Sequence, residues 1–406
     1  MDWHEPLIRL FSEDLPIKLA ELPTDACLVG GAVRDALLGR RKDYLDLDFV
    51  VPQNALETAK AIANKYKAGF VILDRDRGIA RVVFPQGTLD FAQQEGDTLE
   101  TDLNRRDFRV NAIAYHPLTG TLIDPLNGLT DLENKTLRMV SEKNLRDDPL
   151  RLLRAYRQAA QLGFTIDETT RATIHQCAGL IIDVAAERVQ SELNYLLLNP
   201  QGTNWLKSAW FDGVLSPWLT SVNSCRLSKV CQVEHNAKIL EAGQFIFSNE
   251  QLHLTKLAIL VGTDVVSAQK QLLDLKYSKL EIKTIITVVR NFHSLGQKQK
   301  LNQKLTMRDQ YFLFLEVGKV FPVLALFALI GEIDRYTVLD LWKCYLDPHN
   351  NIAHPQPLLT GTDLIKKLNL SPGPLIGKLL TEVQIAHLEG KVDDVESAID
   401  YAKGLI

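Results

Sequence analysis

The sequence predicts an α+β head followed by an all-α remainder, and three features of the chain support this division. Strand-like and helix-like patterns are mixed over roughly the first 125 residues, as in a domain that packs helices against a sheet. The turn cluster Asp124 to Gly128 closes this part. From Asp148 onward strand signals nearly vanish, and apolar residues recur at helical spacing to the end of the chain.

Length and composition are those of an ordinary globular protein. The 406 residues are 46% hydrophobic and 24% charged, and the chain is long enough for about two to four compact units. The net charge of −4 argues against a protein that coats polyanions along its whole surface, but it is compatible with local basic patches. The five cysteines lie far apart without a CxxC pair, which indicates neither a disulfide scaffold nor a zinc ribbon.

The sequence has neither the pattern of a secretion signal nor that of a membrane anchor. Its first residues, MDWHEPLIRLFSEDLP, include acids where a signal peptide needs an apolar core. The longest apolar run, Val320 to Ile330, is too short to span a bilayer and predicts a buried helix. We therefore expect a cytoplasmic protein.

The first elements of the chain are a helix, a short strand and a glycine turn. Up to about Pro23 the spacing of apolar residues predicts an amphipathic helix. Its apolar face is formed by Leu7, Leu10, Phe11 and Leu15. An apolar strand follows and turns at Gly30 and Gly31 into a helix that carries Arg34. A basic linker, Arg40 to Lys42, then leads to a second strand.

On this second strand Asp46 and Asp48 are two residues apart, so their side chains project to one side while Leu47 and Phe49 face the other. Two carboxylates held together on an otherwise apolar strand repel each other unless a cation joins them. Oxygen ligands of this kind suit Mg²⁺, which takes carboxylates together with water and substrate phosphates. The paired glycines upstream let backbone N–H groups approach an anion at the start of a helix. Together, the strand and the turn predict a nucleoside-triphosphate site.

A helix and three further strands complete the predicted head. Ala55 to Tyr66 has helical spacing, and three β-like runs follow it. These runs are Phe70–Leu73, Ile79–Phe84 and Thr88–Phe91. Asp90 lies within the last run, and its carboxylate either supports the metal site or is a charge at the edge of a strand. Both interpretations stay open.

The next motif, Arg105-Arg106-Asp107-Phe108, places two arginines beside an aspartate. In the simplest interpretation it is a surface pair at a helix start, with Asp107 as the cap. In a chain that already carries a triphosphate site, planar guanidinium groups for phosphate or ribose oxygens are the better explanation.

The third motif, DDPLRLLRAYR, predicts a helix with Asp148 as its cap and Pro149 at its first position. Arg151, Arg154 and Arg157 recur every three residues and share one polar arc, and the opposite arc is apolar and faces a core. Three arginines without interleaved acids favour a bound anion, with a solvated basic face as the alternative. Asp148 beside Arg151 also offers an acceptor and a donor, which is what reading the edge of a base requires.

Taken in this order, the motifs resemble those of the class II tRNA nucleotidyltransferase and bacterial poly(A) polymerase family. The matching segments are GGAVRDALLGR with DLD, RRDF followed by NAIA, IDPxxG, DDPLRLLRA and AERVxxEL. They cover roughly the first 200 residues, and the final segment from Thr360 to Ile406 also resembles the family's tail. Each piece alone is a weak signal, but the ordered set is highly specific.

The resemblance implies a polymerase-β-like nucleotidyltransferase head with a mixed, five-stranded type of sheet, followed by an all-α neck, body and tail. The head would span residues 1–140, and the neck with its base-reading helix residues 141–200. The body would span residues 201–350, and the tRNA-binding tail residues 351–406. The helical parts would hold the acceptor arm of tRNA, mostly through the shape of its backbone.

The resemblance also implies roles for individual residues. Asp46 and Asp48 would hold two Mg²⁺ ions that activate the 3′-hydroxyl of the primer and clamp the triphosphate. Asp148 and Arg151 would hydrogen-bond the incoming base, so that CTP or ATP is chosen without a nucleic-acid template. The other nucleotide-binding residues would be Gly30, Gly31 and Arg34 at the phosphates, Arg106 and Asp107 at the ribose and phosphate region, and Arg154 and Arg157 in the rest of the pocket.

Two features depart from the common family pattern. Asp147 stands where the family usually has glutamate, while Asp148 and Arg151 are intact. In members that add all of CCA, a longer flexible stretch precedes the RRDF motif, whereas here only Gln93 to Asn104 fills that gap. Members that add only CC are similar in lacking this loop. We therefore favour a CC-adding enzyme over full CCA or A addition.

Three other functions are less favoured. A poly(A) polymerase would need a basic C-terminal extension to hold arbitrary RNA, and the chain lacks one. A nucleotidyltransferase for a small-molecule acceptor would need neither the base reader nor the long helical remainder. The non-enzymatic alternative is an RNA-binding protein with an inactive head, and the intact Asp46, Asp48 and Arg106 argue against it.

Overall fold

The computed structural model describes residues 7, 10–11, 15–40, 44–241 and 245–406. About half of the predicted N-terminal helix, and the linker residues Arg41 and Lys42, lie outside the described residues. Between Leu15 and Pro23 the chain forms only a 3₁₀ turn, Leu19–Glu21, so the prediction that the helix extends to about Pro23 is wrong. The chain forms two compact units, Met1–Pro217 and Trp218–Ile406. The finer division into head, neck, body and tail stays a prediction.

The first unit contains a mixed sheet of seven strands in the order β3-β4-β5-β2-β1-β6-β7. The strands are β1 (Cys27–Val29), β2 (Leu45–Val51), β3 (Gly69–Asp74), β4 (Ile79–Phe84), β5 (Gly87–Gln93), β6 (Ala114–His116) and β7 (Thr121–Ile123). The pair β2 and β5 is parallel and the other neighbours are antiparallel. The predicted mixed sheet is confirmed, with two strands more than expected. Strands β6 and β7 escape prediction because three residues are too few to show an alternating pattern.

Alternation along the strands gives the sheet two chemically different faces. On the helix face, Leu47 and Phe49 are buried, and the Phe49 ring stacks on Phe91 with centroids 5.4 Å apart. On the opposite face, which we call the carboxylate face, lie Asp46 and Asp48. The predicted separation of carboxylates from apolar side chains is therefore confirmed.

Four helices connect the strands of the head. They are α1 (Gly31–Leu37), α2 (Ala55–Tyr66), α3 (Leu99–Leu103) and α4 (Gly128–Glu133). Helix α2 has the predicted bounds and packs on β4 and β5. The predicted turn before α4 is confirmed, because the Asp124 carboxylate accepts hydrogen bonds from the N–H groups of Gly128 (2.7 Å) and Leu129 (2.9 Å). A small apolar core covers the β1–β6 part of the carboxylate face, formed by Cys27, Val29, Val50, Leu103, Ala112 and Ala114.

The rest of the first unit is helical apart from a two-stranded sheet of β8 (Thr136–Leu137) and β9 (Thr165–Ile166). The helices are α5 (Glu142–Asp147), α6 (Leu150–Leu162), α7 (Glu168–Cys177), α8 (Ala186–Leu198) and α9 (Gly202–Phe211). The apolar arc of α6 is buried as predicted. Its start differs from the prediction, since Pro149 is the N-cap and Asp148 is the C-cap of α5. The two helices follow each other so closely that one residue cannot cap both.

The second unit is entirely helical over its described residues. Its helices are α10 (Ser224–Val230), α11 (Val233–Leu240), α12 (Asn249–Val261), α13 (Val265–Asp274), α14 (Lys279–Lys300), α15 (Met307–Val317), α16 (Phe321–Ile330), α17 (Arg335–Leu346), α18 (Gly361–Leu368), α19 (Pro374–Leu388) and α20 (Val395–Lys403). The stretch Met307–Ile330 is apolar and long enough to cross a membrane by composition alone, but 67% of its most apolar window is buried inside the protein. Helix α16 accordingly confirms the predicted buried helix.

Candidate active site

The two aspartates of β2 lie in the open part of the carboxylate face. In the parallel pairing of β2 with β5, Asp46 is opposite Thr88 and Asp48 is opposite Asp90. The hydroxyl of Thr88 donates to Asp46 Oδ1 at 2.8 Å, which holds this exposed carboxylate against the sheet. Asp48 is half-buried. The site therefore has one carboxylate at the surface and one that is set into the sheet.

The electrostatic environment of Asp48 favours a cation beside it. Burial raises the pKa of Asp48 to about 6, the negative charges of Asp90 and Asp46 add to this effect, and Arg106 and Arg81 oppose it. In the described part of the chain no cluster of three or more His, Cys, Asp or Glu side chains is arranged to hold a metal. Two carboxylates that leave the remaining positions to water and phosphate nevertheless match the preference of Mg²⁺. These residues fit the metal that the sequence predicts.

The carboxylate of Asp90 has a different partner. Arg81 on β4 donates to it through Nε (2.7 Å) and Nη2 (2.8 Å), a bidentate ion pair, and Asp90 is only 9% exposed. The sequence leaves two roles open for Asp90. A charge at the edge of the sheet does not fit, because β5 lies between β4 and β2, whereas support of the metal site stays a prediction. Asp90 is a buried residue of an inner strand, and its charge is balanced by Arg81.

The glycine turn and Arg106 meet next to Asp48. Gly30 has φ of 74°, and a Cβ built on it would lie 2.9 Å from Arg106 Nη1 and 4.0 Å from Asp48 Oδ2. Any larger residue would push the guanidinium away, so the turn requires glycine here. Arg106 donates to Asp102 at 3.1 Å, but its buried Nε has no acceptor among the described residues. An unsatisfied guanidinium donor beside the carboxylates is suited to bind an anion.

The Arg34 guanidinium is bound by protein side chains, whereas the sequence predicts that it contacts phosphates. Its guanidinium is buried and donates to Asp35 through Nε (2.9 Å) and Nη2 (2.7 Å). Its Nη1 donates to the side chain of Asn111 at 2.6 Å. A Cβ on Gly31 would lie 3.5 Å from Arg34 Nη2, so the guanidinium lies directly behind the turn. In this arrangement Arg34 supports the turn.

Asp107 is the centre of a buried network that sequence reasoning did not predict. Asn111 donates to Oδ1 at 2.8 Å, and Gln158 and Arg154, both on α6, donate to Oδ2 at 3.1 Å and 3.0 Å. The alternative that Asp107 caps a helix is wrong, because the following 3₁₀ turn is capped by Phe108. Asn111 and Gln158 carry no charge and belong to no sequence pattern that predicts a site. The network joins the RRDF motif to α6, the predicted base-reading helix.

The pKa of Asp107 reflects this network. Burial alone would raise it, but the charge of Arg154 and the hydrogen bonds from Asn111 and from the Phe108 N–H group more than offset burial and lower it to about 2. Because the folded-state pKa lies below the ordinary value, the ionised carboxylate stabilises the fold above about pH 4. This stabilisation is lost as the pH falls toward about 2.

We therefore expect Asp107→Asn to lower the free energy of unfolding at pH 7 by about 2 kcal/mol. The deficit relative to wild type should narrow as the pH is lowered from 4 toward 2, where the wild-type carboxylate is itself protonated. Denaturant titrations over this range measure both quantities. Asp183→Asn changes an exposed carboxylate and is the control. A deficit that is independent of pH would contradict the assigned role of the Asp107 charge.

The three arginines of α6 all have protein partners, so the predicted uncompensated basic face is not observed. Arg154 pairs with Asp107 at 2.8 Å and Arg157 with Glu192 of α8 at 2.5 Å. Arg151 Nη1 donates to the carbonyl oxygens of Arg105 (2.7 Å) and Asn144 (3.2 Å). The acids that compensate α6 lie on other elements, and a helical pattern does not reveal them.

The predicted base reader has a well-defined geometry. Asp148 Oδ2 accepts from Arg188 Nη2 of α8 at 2.9 Å, while Oδ1 has only a long contact, 3.4 Å, with the Leu150 N–H group. The Arg151 guanidinium is anchored to the backbone of the RRDF motif, because it donates to the carbonyl oxygen of Arg105. Arg40, at the start of the basic linker, donates to the last carbonyl groups of α6, those of Gln161 (2.8 Å) and Leu162 (2.9 Å). Arg188 and Arg40 are positioning residues that the sequence did not single out.

Comparisons with known proteins identify the family of the chain. Residues 26–138 match the family model of the poly A polymerase head domain, residues 163–225 that of the probable RNA and SrmB-binding site of polymerase A, and residues 245–402 that of putative tRNA nucleotidyltransferase domain 2. The chain is 49% identical over 404 residues to a CC-adding tRNA nucleotidyltransferase of Synechocystis, with 97% of this chain and 96% of the relative covered. It is 30% identical over 418 residues to an A-adding tRNA nucleotidyltransferase of Deinococcus radiodurans, with 94% and 95% covered.

A solved structure is similar over most of its length. The Thermotoga maritima CCA-adding enzyme complexed with tRNA matches with a TM-score of 0.70 at 25% identity, and the match covers 93% of this chain and 90% of that chain. The fold therefore extends through both units.

Proposed function

Because this chain belongs to the tRNA nucleotidyltransferase and poly(A) polymerase family, we propose that it adds two C residues to the 3′ end of tRNA. CMP is transferred from CTP and pyrophosphate is released. The observation that carries this proposal is the pair Asp46 and Asp48 on an open sheet face, with Gly30 and Arg106 beside them and the Asp148–Arg151 base reader in the same unit.

Enzymes of this family use a divalent metal ion, and we propose Mg²⁺ held by Asp46 and Asp48. When bound, the metal activates the primer 3′-hydroxyl and neutralises charge on the triphosphate. The chain's own residues place the reacting groups. Thr88 orients Asp46. Gly30 and Arg106 provide the anion site next to Asp48.

The choice of base follows from the donors and acceptors of Asp148 and Arg151. Cytosine and adenine both present an amino donor next to a ring-nitrogen acceptor, whereas guanine and uracil present a carbonyl next to an N–H group. One carboxylate acceptor beside one guanidinium donor therefore suits C and A and rejects G and U. Arg188 occupies one oxygen of Asp148, so the other oxygen is available to the base.

We assign direct nucleotide contact to Gly30, Gly31, Arg106, Asp148 and Arg151. For Arg34, Asp107, Arg154 and Arg157 direct contact stays a prediction. Their protein partners favour a supporting role, in which they hold the glycine turn and α6 at a defined separation.

The short connection between β5 and the RRDF motif favours CC addition. Strand β5 ends at Gln93 and α3 begins at Leu99, with the Thr98 side chain as its cap. Asp102 accepts from the Glu95 N–H group at 3.2 Å and from Arg106 at 3.1 Å, so the connection is fastened at both ends. These contacts hold the short connection against the rest of the unit. Full CCA addition and A addition are the alternatives.

The decisive experiment supplies labelled CTP and ATP to the purified protein with three tRNA substrates. The tRNAs end before the CCA, after its first C and after its second C. We expect extension of the first two by C and no addition of A to any of them. Incorporation of A after the second C would overturn the CC-adding assignment, and extension beyond A would indicate a poly(A) polymerase.

The partner is tRNA, and the helical second unit is the proposed site of contact with it. Membership of a tRNA-processing family agrees with the predicted cytoplasmic location, which we retain as a proposal.

A further inference from the structure

The carboxylate face continues past the aspartates as two rows of directly paired residues. From β2 toward the edge of the sheet, the first row is Asp48, Asp90, Arg81 and Val71, and the second is Asp46, Thr88, Val83 and Gly69. Residues that are directly opposite each other on neighbouring strands project to the same face. The side chains of β4 and β3 therefore form one surface with the carboxylates.

The outer part of this surface, Arg81, Val83 and Val71, is named the β3–β4 platform. Val71 is 47% exposed and Val83 is 37% exposed, whereas β4 buries its alternate residues Ala80, Val82 and Phe84. The Arg81 side chain is 37% exposed. Arg81 binds Asp90 through Nε and Nη2, and Nη1 has no protein acceptor among the described residues. Exposed aliphatic groups around a cation are suited to sugars and bases that are joined by phosphates.

The chemistry of the reaction specifies what reaches this platform. In nucleotidyl transfer the attacking and leaving oxygens lie roughly in line across the reacting phosphorus. Gly30 directly follows β1 and Arg106 lies next to it, so these anion-binding groups are on one side of Asp46 and Asp48. Strands β5, β4 and β3 lie on the other side. If pyrophosphate leaves toward Gly30 and Arg106, the attacking hydroxyl arrives over β5 and β4.

The spacing of the strands makes contact feasible. Neighbouring strands are about 4.8 Å apart, so Val83 lies roughly 10 Å from Asp46 and Val71 roughly 14 Å from Asp48. These distances suit the nucleotides immediately before the reacting 3′ end, and not the incoming CTP, which is held by the glycine turn and the base reader.

We propose that the β3–β4 platform binds the single-stranded 3′ end of the acceptor RNA, with Val71 and Val83 against sugars and bases and Arg81 near a phosphate. This inference rests on the proposed function and specifies where its acceptor substrate lies in the head. The bidentate pairing with Asp90 fixes the Arg81 guanidinium on the carboxylate face, and Nη1 is the group that would reach a phosphate.

Charge substitutions at Val71 test the platform, and the chain offers a matched control on the same strand. Ile72 is 37% exposed but faces the helix side, opposite Ala80. We expect Val71→Asp to lower kcat/KM for tRNA by roughly three- to tenfold through repulsion of phosphates, with the KM for CTP unchanged. Val71→Lys should raise kcat/KM for tRNA, because its positive charge attracts phosphates. Ile72→Asp and Ile72→Lys should leave it within about twofold of wild type.

A crosslinking experiment places the RNA directly. The probe is a tRNA that ends before the CCA and carries 4-thiouridine at its last position. It is bound to the wild-type protein in the presence of CTP and irradiated. The crosslinked peptide is then identified by mass spectrometry. We expect the adduct within Gly69–Phe84. Adducts confined to other segments, or equal kinetics of Val71→Asp and Ile72→Asp in active protein, would overturn the platform.

The same set of variants distinguishes failure of the platform from failure of the proposed function. A wild-type protein that binds tRNA but incorporates no CMP contradicts the proposed function, whereas active wild type with indistinguishable variants contradicts the platform alone. If the exposed edge of β3 instead pairs with a second copy of the chain, both Val71→Asp and Ile72→Asp should shift the protein toward the monomer in sedimentation. That result without a change in tRNA kinetics overturns the proposal. Thermal melting of each variant verifies that it is folded.

Discussion

Asp48→Ala and Asp46→Ala are each expected to reduce CMP incorporation by roughly a thousandfold or more, because loss of a metal ligand removes several kcal/mol of transition-state stabilisation. Asp90, which lies directly opposite Asp48, is paired with Arg81 and would have to lose that pair to replace Asp48 as a ligand. Affinity for tRNA should stay within about twofold of wild type, since RNA is held mainly by shape and backbone contacts elsewhere.

Single-turnover incorporation of labelled CMP and a filter-binding titration with tRNA measure the two quantities separately. Asp25→Ala, which removes an exposed carboxylate just before β1, is the control for the change of net charge. Full activity in either active-site variant would contradict the metal-binding role. Parallel loss of tRNA binding would mean that the pair supports the fold and not the chemistry.

Asp148→Ala and Arg151→Ala are expected to relax the choice among nucleotides more than they reduce the affinity for tRNA. Each well-placed hydrogen-bonding pair to a base edge is worth about 1–3 kcal/mol of discrimination, so preference for CTP over UTP should fall by roughly tenfold or more. Arg151 carries the larger structural risk, because it also ties the RRDF backbone to α6 through the carbonyl oxygen of Arg105.

Competition between CTP and each other nucleotide at one concentration, read by mass spectrometry of the extended tRNA, gives the discrimination directly. Arg151→Lys retains the charge without the planar fork, and selectivity should fall for this variant as well. Arg146→Ala, in the preceding helix, removes an exposed arginine that pairs with Glu142 and is the matched control. Unchanged selectivity in both Asp148→Ala and Arg151→Ala would rule out their role as base readers.

The structure connects the two ends of the nucleotide site through uncharged side chains. Arg34 behind the glycine turn donates to Asn111, and Asn111 donates to Gln158 of α6 at 2.9 Å. Asp107 accepts from both Asn111 and Gln158. The glycine turn and α6 are therefore held in one buried network, and a change at Asn111 would affect both.

Much of the local structure follows from the sequence. Helix α2 and the strands β3, β4 and β5 lie where periodicity predicts them, within one or two residues. The short strands β6 and β7 do not, because three residues are too few to show an alternating pattern. The start of α6 differs because α5 ends directly before it and leaves Asp148 as its own C-cap. The family and its activity could be recognised because the motifs of one site recur in a set order, although each motif is ambiguous by itself.

The sequence by itself determined the features that depend on near neighbours. A period of two puts Asp46 and Asp48 on the same side of β2, and a spacing of three puts the arginines of α6 on one arc. Both patterns are set by backbone geometry that any chain of this kind adopts.

Only the tertiary structure decided which partner each charge has. Asp107 meets Arg154, Asp148 meets Arg188 and Asp90 meets Arg81 across strands and helices that are separate in the chain. These pairings depend on how the elements pack, and no local pattern records the distance between two distant segments. The arginines that look free in the sequence, Arg34, Arg154 and Arg157, are therefore paired with carboxylates in the folded protein.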